Sequence, residues 1–218
     1  GGTVMETGGA LLAFTTNGNN RLDGVTLNGD LDLASVNGAR TTIQNGLTLN
    51  GTATIGAAGT YGLLDVSGSQ ALGGTGTIIF SDHACNGIRV ATAATTLTIG
   101  AGITVRGHSG QIGYDNCIGG PVDGTVAIDG VGAADTAGGT VMVTAQTVDN
   151  RGLLDAGLGT LRLAGAWTSS GTLRGADGTL ELGGTFVTAG IGTIVRAGPG
   201  TLSLTGTLDN TGATLALD

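Results

Sequence analysis

Thr26-Leu27-Asn28-Gly29 returns as Thr48-Leu49-Asn50-Gly51, and each copy runs into an alternating apolar tail. A phrase repeated about every twenty residues marks a solenoid, in which one unit buries its apolar face only against the next. The repeat therefore constrains architecture far more than chemistry. The last third shows it most plainly: Thr160-Leu161-Arg162-Leu163, Thr179-Leu180-Glu181-Leu182, Thr201-Leu202-Ser203-Leu204 and Thr214-Leu215-Ala216-Leu217 share one alternation. Successive side chains of a strand point to opposite faces, so both Leu of each phrase belong to a core. The slot between them accepts Arg, Glu, Ser and Ala, as a solvent-facing position does.

Two shorter strands separate these phrases, for example Ala166-Trp167-Thr168 and Gly171-Thr172-Leu173-Arg174. One turn is thus three strands joined at Gly-marked corners, where a residue without Cβ adopts the positive φ of a tight bend. The sequence predicts an all-β chain: a right-handed parallel β-helix (β-solenoid) with three strands per coil and about ten coils. Stacked at about 4.8 Å, these make a rod about 45–50 Å long. The reading is of one β-solenoid domain over 1–218, with looser corners and longer loops in 80–123 and the most regular repeats in 153–218. The extra residues are expected in loops at Asp82–Asn86 and Arg106–Asp123. The Thr214 phrase arrives early and reads as the third strand of its turn.

Composition agrees. The chain holds 45 Gly in 218 residues, is 3% aromatic and 11% charged, yet has a mean hydropathy of +0.30, which suits thin layers of small and aliphatic side chains. Every basic residue is Arg, and the formal charge is −8. That balance argues against a nucleic-acid partner. The absence of Lys removes the P-loop lysine and Schiff-base chemistry. Strings such as Gly73-Gly74-Thr75-Gly76 then read as corners, and no cofactor or metal is implied. No unbroken apolar run of about twenty residues occurs, so no membrane-spanning helix is expected. The start at Gly1-Gly2 suggests a processed chain or an excerpt of a longer one. A solenoid end exposes strand edges, so the expected axial partners are neighbouring repeats or identical subunits in end-to-end contact.

The run Gly178-Thr179-Leu180-Glu181-Leu182-Gly183-Gly184-Thr185-Phe186, with Gly206-Thr207-Leu208-Asp209-Asn210-Thr211-Gly212, resembles the β-strand repeats of very large bacterial surface proteins. Autotransporter passengers and filamentous-haemagglutinin-like adhesins carry similar phrases. The resemblance covers nearly the whole chain and implies export to the extracellular cell surface. It also implies a structural or adhesive role, as stalk, adhesin segment or filament subunit, with other cells or surface glycans as partners and no catalytic residues.

The two Cys and two His all fall between His83 and Cys117. Given export, a Cys85–Cys117 disulfide is the favoured state, closing a loop of about thirty residues and contributing a few kcal/mol. Separate thiols and a zinc site of His83, Cys85, His108 and Cys117 remain open, although the spacing matches no compact zinc motif. The functional alternative is a carbohydrate-active β-helix, a polysaccharide lyase or hydrolase using the loops near Asp82 and Asp115, with Arg89, Arg106 and Asp123 close in sequence. Against it, Asp and Arg are the ordinary solvated residues of corners. Ice binding through Thr52-Ala53-Thr54 and Thr96-Leu97-Thr98 lacks a continued Thr-x-Thr column.

Overall fold

The computed structural model describes residues 1–216. It is a parallel β-solenoid of about nine turns, with coils about 22 residues apart and three strands in each. The first face stacks strands from Gly2–Met5 to Thr207–Asp209, the second from Leu12–Ala13 to Thr193–Arg196, and the third from the start of Arg21–Asn28 to Thr201–Leu204. Every pairing between these strands is parallel, and residues equivalent in the repeat sit directly above one another: Thr160, Leu161, Arg162 and Leu163 lie over Thr179, Leu180, Glu181 and Leu182, which lie over Thr201, Leu202, Ser203 and Leu204. Nine turns at about 4.8 Å span roughly 43 Å.

The core follows from this register. On the third face Leu64, Ile88, Ile112, Val143, Leu163 and Leu182 form one inward column, and Val141, Leu161 and Leu180 form another, all of them buried. On the first face Leu97, Val126, Val148, Trp167, Phe186 and Leu208 follow one another. Trp167 stacks on Phe186 with ring centroids 4.2 Å apart and donates its indole N–H to the Gly183 carbonyl at 2.8 Å, so its one polar atom is satisfied inside the core. Column volumes are balanced between coils. Phe80 lies over Gly107, and a Cβ on Gly110 would come 2.5 Å from the Phe80 ring.

Corners are tight because backbone meets backbone there. Gly165 and Gly184 turn the chain from the third face to the first in successive coils with φ of 87° and 63°. A Cβ at Gly184 would stand 1.9 Å from the Gly165 carbonyl oxygen, so only glycine permits that stacking distance.

Two expectations change. Residues Asp82–Asn86 are not a loop but part of one extended strand, Thr77–Val90, in which residues 83–86 bulge out against the next coil. Arg106–Gly113 likewise belongs to the strand Thr104–Gly113, and the irregular segment is only Tyr114–Gly124. The reason is Asn86, fully buried at the corner: its Oδ1 accepts the Gly62 N–H at 3.2 Å, and its Nδ2 donates to the Ser81 and Ser109 carbonyls at 3.0 and 3.1 Å. One amide thus joins three coils and keeps the bulge extended. No strand is assigned in Thr214–Ala216, although Leu215 packs against the core; Leu217, the end of that phrase, lies outside the described residues.

Candidate functional site

Charged side chains on this rod pair along its axis, one coil to the next. Arg40, Asp65 and Arg89 occupy successive coils of the third face: Asp65 accepts from Arg40 at 3.0 Å and from Arg89 at 2.8 Å. Burial alone would lower the Arg89 pKa, but the hydrogen bond and charge of Asp65, with the charge of Asp115, hold it above the ordinary arginine value. Arg162 meets Glu181, and on the second face Arg106 meets Asp135 at 2.6 Å and Arg174 meets Asp155 at 2.9 Å. Burial raises the Asp155 carboxyl above its usual value; Arg174 opposes the shift and Asp135 adds to it. In Asp32 burial again pushes upward, but hydrogen bonds from the Ser35 hydroxyl and the Ala34 and Ser35 N–H groups prevail and hold the carboxyl below its usual value.

The residues named for carbohydrate chemistry are therefore dispersed. Arg89 is committed to Asp65, and Arg106 to Asp135 on another face. Asp115 turns inward, its Oδ1 accepting the N–H groups of Cys117 and Ile118 at 2.7 and 2.9 Å. Asp123 is exposed. Asp82 approaches His108 Nδ1 at 3.2 Å, and Ser109 Oγ lies 2.8 Å from the same nitrogen. A hydroxyl–imidazole–carboxylate relay needs the two partners on opposite ring nitrogens, so this trio cannot pass a proton from serine to aspartate.

Cys85 and Cys117 are joined in a disulfide with Cα atoms 5.6 Å apart, linking the 83–86 bulge to the segment Tyr114–Gly124. His83 sits beside the bridge, its Nδ1 accepting the Cys85 N–H and its ring 5.7 Å from that of Tyr61. Among the described residues, no three His, Cys, Asp or Glu side chains gather as a metal site would require.

The Tyr114–Gly124 segment folds back over the outside of the third face. Its Gly119 carbonyl accepts from Arg89 Nη1 at 3.0 Å, and Gln111 holds Asn116 through two hydrogen bonds, of 2.9 and 2.7 Å, to the backbone and side-chain nitrogens. Beneath it Leu63, Asp65 and Gln111 are buried although they point away from the core. Beside it a shallow depression of about 300 Å³ is floored by Gly110 and Met142 and rimmed by Ser109, Asn116, Thr140 and Arg162. Sequence reasoning placed a long loop here but missed Asp65, Asn86 and Gln111. For Asp65 a signal existed: Arg40 and Arg89 each stand about one coil away, on strands of the same alternation.

Among the described residues, no helix is long and apolar enough to cross a membrane. Comparison with protein-family models, with curated proteins and with solved structures found no match.

Proposed function

We propose that this chain is an extracellular structural element of a bacterial surface: a rigid β-helical segment of a stalk or adhesin, or a filament subunit, without catalytic activity. One observation carries the reading. The ionic side chains that could form a reactive cluster are instead distributed along the rod as links between coils, over a continuous apolar interior. Such a stack resists bending because neighbouring coils share strand hydrogen bonds on three faces. The resemblance of the repeat phrases to those of autotransporter passengers and filamentous-haemagglutinin-like adhesins supports export. Its axial partners are then further coils, of the same chain or of another copy, and surface glycans or other cells are met at the Tyr114–Gly124 segment.

The test is labelling of intact source cells with antibodies against the folded domain, before and after external protease. Surface signal that the protease removes is expected. Signal that emerges only after the cells are opened would overturn the reading.

A further inference from the structure

The segment Tyr114–Gly124 is held by three kinds of contact, and they are unequal. The hydrogen bond from Arg89 to the Gly119 carbonyl, those that Gln111 accepts from Asn116 and the caps made by Asp115 are polar and few. Against them stands a cost: Asp115 is 1% exposed and its Oδ2 has no hydrogen-bond partner, packed where a Cβ on Gly87 would approach it to 2.7 Å. A buried carboxylate oxygen left unpaired disfavours the closed position. The third contact is covalent, through Cys85, and its other half, Cys117, is exposed. What the segment covers lies outside the solenoid core: Leu63, Asp65 and Gln111 face outward, while the inward column through Leu64, Ile88 and Ile112 is complete without it.

We propose that Tyr114–Gly124 is a redox-latched strap, closed over the third face while Cys85 and Cys117 are joined and released when a dithiol reduces them. The reductant's thiolate attacks the sulfur of Cys117, the exposed residue of the pair, the Cys85 thiolate leaves, and the second thiol of the reductant resolves the mixed disulfide. Two electrons and two protons pass to the protein as two thiols, and the dithiol departs as its own disulfide. Release uncovers Leu63, two residues from the Asp65 carboxylate that joins Arg40 and Arg89. The proposal rests on the exported reading only for its setting: reduced inside the cell, the strap is open, and oxidation outside closes it.

The test is hydrogen exchange, read by peptide mass, on the folded 218-residue chain before and after addition of dithiothreitol, and on the Cys85→Ala, Cys117→Ala double variant. Amide exchange in the peptide covering 114–124, where the Asn116, Cys117, Ile118 and Gly119 N–H groups are bonded in the closed strap, is expected to rise by about a hundredfold on reduction, and equally in the variant, with 62–66, 87–90 and 153–182 unchanged because their N–H groups stay bonded between coils. Unchanged exchange in the strap would show that its polar contacts suffice, and a rise across the whole chain would make the bridge a general staple; either overturns the latch. Because the readout is made in solution, it stands or falls independently of where the protein resides.

Discussion

Leu180→Ala is the sharpest test of how the coils are held. Leu180 is 0% exposed, with Leu161 above it and Leu202 below in the same inward column. Truncation to Ala removes three carbons, a transfer loss of about 2.5 kcal/mol at about 0.8 kcal/mol per buried methylene. The cavity adds to this, because the leucines on either side are fixed by strand hydrogen bonds and cannot close on the gap. The total expected is about 3–4 kcal/mol. The adjacent residue provides the control. Glu181 points outward and pairs with Arg162, the two side chains 17% and 47% exposed, so Glu181→Ala should cost only about 1 kcal/mol. Urea unfolding followed by circular dichroism measures both, with the midpoint shift read at constant slope. Equal losses at the two positions would refute the inward and outward assignment on which the whole register depends.

Other outcomes follow from the same contacts. Gly184→Ala combines a left-handed φ with a Cβ 1.9 Å from a carbonyl oxygen and should cost at least about 2 kcal/mol, whereas Gly175→Ala, with open space around it and no positive φ, should stay within about 0.5 kcal/mol; thermal unfolding compares them. Asp65→Ala leaves two guanidinium groups without their shared carboxylate, one of them only 13% exposed, and should destabilise by about 3–5 kcal/mol in the same denaturation assay. Asp32 has a depressed carboxyl pKa, so its contribution is present above the ordinary value of 3.8 and is lost as pH falls through the folded value. Asp32→Asn should therefore weaken the chain at neutral pH, and the gap to wild type should close in acid titrations below 3.8. Asp155 has the opposite sign: its raised pKa means that the native state gains stability as pH falls from neutral toward 3.8, and Asp155→Asn should abolish that gain.

The parts of the fold legible in the sequence are those that repeat. Leu161, Leu180 and Leu202, or Leu163, Leu182 and Leu204, declare a shared column because each strand alternates with period two and each coil restates the phrase, although Leu204, in the last coil, is 57% exposed and not buried in the core. Trp167 was readable as a packed relative of Phe186 for the same reason. The strap was not legible beyond being a long insertion. Its position depends on single polar contacts, Arg89 with the distant Gly119 carbonyl and Gln111 with nearby Asn116, and such contacts leave no period. Asp82-His83-Ala84-Cys85-Asn86 reads as a loop by composition, yet it remains extended because the Asn86 amide finds partners in three coils. Local polarity reported exposure where tertiary hydrogen bonding decided otherwise.

The claim that this chain is a passive mechanical rod is tested most directly by pulling it from its two ends in a single-molecule force experiment. Each coil that detaches should release about 22 residues, a contour increment of roughly 75 Å at about 3.4 Å per residue, so the account predicts a series of such steps. A smooth extension without steps, or one step that frees the whole chain, would contradict it.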